Sequence, residues 1–366
     1  MKVDCPRKEL YEAISTANAA ASGRSPINIL QNLKLEAHDG GLRILGCDGE
    51  MWVERHLACM VEEPGAICVQ SRLISDLVST LPDGDVLLQT SETQGMLLKQ
   101  GASEYRMLTQ EPSDFPEPPA YGGDGELTIK MSILKEAIDS VIFAVSSDSH
   151  RPILTGVLFQ YDGATLTLAA TDTHRLAVKK IHQEGIGSNL TAVVPERALR
   201  AIKNLPVSDD ETITIKFGGG RLGVEIGGAK VVSQLLAGTY PNWERVVPAE
   251  FTRVWKLEAD QLVERVKRVL ILAKDNAFRV RMSGNGDQLL LSARSDEKGE
   301  AKEEVTMLPE NGDIEIAFNG RFISDALGPI KGPGVRIETT ESSRSAVFRA
   351  TDDDSYFCVI MPMALY

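Results

Sequence analysis

The four residues Asp172-Thr173-His174-Arg175 are the part of this chain whose types could do acid–base chemistry. An acid two positions from a histidine, on one face of a strand, could orient a general base, and a hydrolase is the activity such a pair would serve. That reading wants a nucleophile. No serine or cysteine stands in a recognisable nucleophile motif nearby, and no GxSxG occurs anywhere. The five histidines, His38, His56, His150, His174 and His182, have no HExxH-type spacing, so neither a catalytic nor a structural metal is expected. The acidic runs Asp352-Asp353-Asp354 and Asp209-Asp210-Glu211 lack the grammar of a calcium loop and read as solvated turns. Gly218-Gly219-Gly220 is followed by no helix start, so it reads as a hairpin turn and not a phosphate cradle. No cofactor is expected. The Asp172 cluster fits an edge that fixes a surface for binding better than a catalytic centre.

Asp172 has two sisters. Asp48, Asp172 and Asp296 are spaced 124 residues apart, twice over. Each ends a stretch that reads as an alternating apolar strand, a turn with Gly or Asp, and a second alternating strand. The likeness extends along the chain. Leu10, Glu12, Ala13 and Ile14 recur as Leu134, Glu136, Ala137 and Ile138, both at helical spacing, and residues 257–276 supply the third opening helix. A second helix recurs as SRLISDLVSTLP, PERALRAIKNLP and GRFISDALGPI, each followed by further alternating strands. The period is too long for a solenoid, whose units run about 20–50 residues. The chain is therefore expected to be α+β: three copies of one domain, each with two helices and antiparallel sheets. Proline-rich joins place the domains at 1–122, 123–248 and 249–366.

Bulk composition is that of an ordinary soluble domain protein: 366 residues, 43% hydrophobic and 25% charged. No apolar run could span a bilayer, and MKVDCPRKELYEA has no apolar leader core, so no membrane association is expected. Five scattered cysteines without a CxxC pair suit a reducing cytoplasm. A formal charge of −13 excludes a chain that coats nucleic acid with its whole surface. It leaves room for a local basic face. Arg197, Arg200 and Lys203 follow i, i+3, i+6 beside an apolar stripe, Arg265, Lys267 and Arg268 lie on the third opening helix, and Arg7, Lys8, Arg24, Arg72, Lys130 and Lys135 add to the first two copies.

At ATDTHRLAV (170–178), GTYPNWERVVP (238–248) and VIMPM (359–363), supported by GRSPINILQNLKLEAHDGGLRILGCD and FNGRFISDAL, the chain resembles the bacterial DNA polymerase III β subunit family, the sliding clamps, over essentially its whole length. The resemblance implies a head-to-tail homodimer of three DNA-clamp domains per chain, half of a closed six-domain ring, that encircles double-stranded DNA without reading its sequence. It implies processivity without catalysis. The partners it implies are the DNA polymerase III catalytic subunit, a clamp loader, and other replication and repair proteins that dock through short linear peptides.

It also implies sites. The partner-peptide cleft would comprise Leu154, Thr171, Thr173, His174, Arg175 and Leu176 of the middle domain, Pro241, Arg245 and Val246 of the linker, and Phe278, Asn319, Phe322, Val359, Met361, Pro362 and Met363 of the third domain. Methionines suit a cleft that must repack around several peptides. Ala364 stands where many relatives carry a basic residue, and Phe322 where some carry tyrosine. The dimer seam would use Tyr105, Met107 and Leu108 against Ile271 and Leu272, with Glu300, Glu303 and Glu304 facing Arg106 or Lys99. DNA contacts would fall to Arg24, Arg72, His150, Arg151 and Arg197, although Pro152 and Ile153 sit where some relatives place tyrosines.

Overall fold

Three meanders recur, one behind the opening helix of each repeat, and each of the spaced aspartates follows directly on the middle strand of one. In the first, Asn32–His38, Gly41–Cys47 and Met51–Leu57 pair in order. In the second, Gly156–Tyr161, Thr165–Thr171 and Arg175–His182 do the same, and in the third Arg279–Asn285, Gln288–Ser295 and Gly299–Thr306. The chain is described by a computed structural model covering residues 1–21, 25–38, 40–91 and 95–365.

The six expected helices are α1 Arg7–Ala17, α2 Ser71–Thr80, α3 Met131–Val141, α4 Glu196–Lys203, α5 Ala259–Ala273 and α6 Gly320–Leu327. Their apolar spacing shows why they form. Leu10, Ala13, Ile14 and Ala17 put one stripe of α1 into the core, and Leu262, Val266, Val269 and Ala273 do so for α5. In α4 the buried positions are Ala198, Leu199, Ala201 and Ile202, leaving the basic residues outside.

The strands form four antiparallel sheets. One nine-stranded sheet crosses from the first repeat to the second where Met51–Leu57 pairs with Ala229–Gln234, from Arg55↔Ala229 to Met51↔Ser233. The other crosses from the second to the third where Arg175–His182 pairs with Tyr356–Ile360, from Arg175↔Ile360 to Lys179↔Tyr356. The remaining sheets have five and four strands and end on open edges, Ser103–Met107 in the first repeat and Gly299–Thr306 in the third. Because sheets cross the repeat boundaries, the chain packs as two compact units that share out the middle repeat. One is built on residues 1–135 and 194–235, the other on 136–185 and 236–366.

The glycine run is a turn, as its sequence context requires. Gly218 pairs with Arg221, and Gly219 and Gly220 lie at φ +60° and +71°, the left-handed pair that a two-residue hairpin needs. The acidic runs are also accounted for. Asp209 pairs with Lys135 and Asp210 with Lys130, both at 2.7 Å, while Asp354 meets Arg336 and Arg349. Among the described residues no group of acids, histidines and cysteines could hold a metal ion, and no helix is long and apolar enough to cross a membrane.

Candidate functional site

The turn after Thr171 is built by Asp172. Its Oδ1 accepts the backbone N–H groups of His174 and Arg175, both at 3.0 Å. Asp48 makes the same turn in the first repeat, accepting from Glu50 at 2.9 Å and Met51 at 2.7 Å. The third repeat has lost it: Asp296 is exposed, and Ser295 Oγ accepts from Lys298 instead. The short side chain of aspartate mimics a backbone acceptor, which is why it marks the end of a strand at a tight turn.

The second oxygen of Asp172 goes to Arg175 Nε at 3.0 Å, not to the His174 imidazole. His174 is exposed, and the Asp–His dyad a hydrolase would need is not formed. Arg175 is the centre of the site. Its guanidinium also donates to Asp325 Oδ2 of α6 and to the Phe143 carbonyl, both at 2.5 Å. It lies over the Phe322 ring at 4.3 Å and the Phe143 ring at 5.2 Å. Of the five contacts on this nearly buried cation, those to Asp325 and Phe322 tie the turn after the middle strand to the second helix of the third repeat.

A second tie comes from the C-terminal segment. Met361 N–H donates to the His174 carbonyl at 2.9 Å, and Met363 N–H to Ala317 at 2.7 Å. The Leu365 carbonyl accepts from Arg281 at 3.1 Å. The tail thus bridges the nine-stranded sheet and the four-stranded sheet, leaving Met361 48% exposed and Pro362 and Met363 half-buried.

The other positions named for the cleft fall into groups. Leu154, Leu176 and Val359 are buried in one apolar cluster with Tyr240, Trp243 and Phe357, so they underlie the surface and do not form it. Thr171 Oγ1 donates to the Arg175 carbonyl at 2.7 Å and accepts from Thr173 N–H at 3.1 Å. Thr173 holds φ +76°, a conformation that strains a β-branched residue, and it is exposed beside His174. Pro241, Arg245 and Val246 are exposed on a segment anchored by buried Trp243. Asn319 caps α6 by accepting from Arg321 N–H at 3.0 Å. The Phe278 carbonyl accepts from Gly320 N–H at 2.8 Å, and the Phe278 ring lies under Arg321 at 3.5 Å.

Beside the Asp172 turn is a cavity of about 510 Å³ lined by Val145, Asp148, Arg151, Thr173 and His174 among others. Phe143, Asp325 and Trp243 are the participants that sequence reasoning missed. Asp325 had a signal, since Ser324-Asp325 repeats Ser75-Asp76 of α2. Phe143 had none, because only the fold brings its carbonyl to Arg175.

The basic positions separate by what already holds them. Arg72 is exposed on α2, and no acid partners it among the described residues. His150 and Arg151 are exposed on a loop. Arg197 of α4 is exposed too, but it pairs with Asp48 across the first repeat boundary. Arg24 lies outside the described residues. Arg265 and Arg268 of α5 are not a free basic face: both are drawn to Glu303, at 3.3 Å and 2.6 Å.

The residues expected at the seam have neighbours within the chain. Glu303 is committed within its own repeat, and its carboxyl is held below the usual range by the Arg268 hydrogen bond. Glu300 pairs with Lys302 at 3.0 Å, while Glu304 is exposed. Lys99 and Arg106 are both drawn to Glu104, at 3.2 Å and 3.8 Å. Met107 turns inward at 4% exposure and belongs to the core of the first repeat, because it ends a strand whose last residue faces the helices. Leu108 stands 89% exposed and Ile271 64%, with Tyr105 and Leu272 partly open.

Comparison with known proteins places the chain as a whole in one group. Models of the N-terminal, central and C-terminal domains of the DNA polymerase III beta subunit match residues 1–119, 128–242 and 244–364. The chain is 29% identical over 357 residues to the beta sliding clamp of Staphylococcus aureus, covering 95% of both. The DNA polymerase sliding clamp of Bacillus subtilis superposes with a TM-score of 0.93 at 25% identity, and the DNA polymerase III subunit beta of Pseudomonas aeruginosa with 0.91 at 28%, each over the full length of both chains.

Proposed function

The chain belongs to the DNA polymerase III beta subunit family, the beta sliding clamps, and we propose that two copies close head to tail into a six-domain ring around duplex DNA. The protein is a processivity subunit without catalysis of its own. Its modules run 1–122, 123–248 and 249–366.

One observation carries the ring. At both boundaries within the chain, the third strand of an opening meander pairs with the last strand of the next repeat, completing nine strands. The third meander ends on Gly299–Thr306, and the first repeat's last long strand is Ser103–Met107. Among the described residues these two have no neighbouring strand on their outer sides, and they edge a four-stranded and a five-stranded sheet, the two halves of the same nine-stranded pattern. Open antiparallel edges invite pairing, and a two-fold closes a head-to-tail contact between two chains. Leu108 and Tyr105 from one copy and Ile271 and Leu272 from the other supply apolar cover. Glu300 and Glu304 then face Lys99 and Arg106 at the rim, where each exposed pair adds about 0–1 kcal/mol.

Arg24, Arg72, His150, Arg151 and Arg197 attract phosphates without reading bases, which permits sliding. The net charge of −13 discourages DNA from adhering elsewhere. The cleft around Arg175, Val246, Phe322 and Met361 takes short extended peptides with apolar anchors, through which the polymerase catalytic subunit, the clamp loader and repair proteins compete. These partners place the protein in the cytoplasm.

The test is retention on plasmid after loading by a clamp loader. Loss from linear DNA with retention on circles supports a topological link, and equal behaviour on both overturns the ring.

A further inference from the structure

We propose that Arg279, Arg281 and Arg294 of the third repeat form an anion pocket, and that it takes the carboxylates of acidic residues flanking the apolar anchors of a docking peptide. The pocket depends on the peptide cleft proposed above and adds a charge to the segment beyond the anchors. Strand alternation brings the three arginines together. Arg279–Asn285 and Gln288–Ser295 pair antiparallel, with Arg281 opposite Ser292. Val280, Met282, Leu291 and Ala293 are buried on one face, so Arg279, Arg281, Ser292 and Arg294 share the other. With Asn276 they wall a cavity of about 480 Å³.

The three guanidiniums are held unequally. Arg281 Nε lies 2.8 Å from Glu315, and its Nη2 donates to the Leu365 carbonyl at 3.1 Å. Arg294 Nε stands 3.6 Å from Asp296 Oδ1 with both side chains in solvent, and so open a pair holds little. Glu300 also lines the cavity, but Lys302 matches its charge at 3.0 Å. Arg279 has no ion-pair partner among the described residues, and its enclosed Nε meets no acceptor there. Nothing within the described chain takes this fork of donors. A carboxylate engages such a fork through two parallel charge-assisted bonds, and the Ser292 hydroxyl and Asn276 amide stand beside it as further donors.

Continuity with the cleft says what brings the carboxylate. Leu365, held by Arg281, ends the segment whose Met361, Pro362 and Met363 belong to the cleft, and Arg279 directly follows Phe278, another cleft position. A peptide lying along Met361–Met363 and running on past the tail meets the arginines. The chain as a whole carries a charge of −13, so an acidic flank is repelled by most of its surface. A cavity walled by arginines gives that flank one favourable place and so fixes how the peptide lies.

The experiment measures fluorescence anisotropy of two synthetic peptides on the full-length protein. Both carry the same leucine and phenylalanine anchors. One is extended by two glutamates and the other by two glutamines, each made with the extension at either end. At one of the ends the glutamate peptide is expected to bind about tenfold tighter than its glutamine counterpart. The gap should shrink as salt is raised. Arg279→Gln should close the gap and leave the glutamine peptide's affinity as it was, and Arg294→Gln, a change at an exposed position, should narrow it. Equal binding of the two peptides to the wild type, whichever end is extended, overturns the pocket and leaves the cleft standing. A gap that survives in the Arg279→Gln, Arg294→Gln double variant overturns the pocket as well. Binding of neither peptide overturns the cleft, and the pocket with it.

Discussion

Arg175 and Asp172 are bonded twice over: the carboxylate takes the backbone N–H of Arg175 through one oxygen and its guanidinium through the other, each at 3.0 Å. The first bond shapes the turn and the second aims the side chain, so a single acid sets where the cation points. From there the cation reaches Asp325, Phe143 and Phe322, and the proposed peptide cleft would rest on that alignment.

Removing the cation should therefore damage both the cleft and the fold. Arg175→Ala leaves Asp172 and Asp325 without their partner and strips one face of Phe322. Loss of charged hydrogen bonds at a mostly buried site costs about 2–4 kcal/mol. Denaturant unfolding should show that loss, and fluorescence anisotropy should show weakened binding of a short apolar-anchored peptide. Arg175→Lys should recover little of either, because an ammonium cannot match three directed acceptors at once. Wild-type peptide affinity in Arg175→Ala would refute the role assigned to it.

The seam should yield to a single charge. Leu108→Asp or Ile271→Asp puts a carboxylate on an exposed apolar side chain of the proposed seam, without touching the core of either repeat. Light scattering should give the 39.8 kDa chain mass for these variants and twice that for the wild type. Met107→Asp should instead lower thermal stability, since that side chain is inside. A Leu108→Asp protein that stays dimeric would exclude this edge as the seam.

Acid should loosen the second unit through Glu136. Its carboxyl accepts from Lys331 at 2.6 Å and Lys179 at 3.2 Å, and the Lys331 bond foremost holds it below the ordinary glutamate value of 4.5. A carboxyl with a lowered folded pKa binds its proton more readily when unfolded. Its stabilising effect is present above 4.5 and is lost as pH falls through the lowered value. Thermal midpoints of Glu136→Gln and wild type should thus differ near neutral pH and converge in acid. A gap that persists in acid would show that the lysine pairing is not its source.

Much of the architecture could be read from residue order, for a local reason. Helix stripes such as Leu10-Ala13-Ile14-Ala17, alternating strands, the Gly219-Gly220 turn and the Asp48 and Asp172 turns are decided within a few residues by spacing, burial and backbone conformation. Recurrence of those patterns every 124 residues sufficed to predict three like domains. What spacing could not decide was the partner of each charged or apolar side chain, because that depends on residues far along the chain. Only the tertiary structure commits Arg197 to Asp48, Glu303 to Arg268, and Arg175 to Asp325 and Phe143. It also turns Met107 inward while leaving Leu108 in solvent. Alternation offers each strand two faces; which one is covered depends on the helices and strands that pack against it, and that is settled only when the repeats fold together.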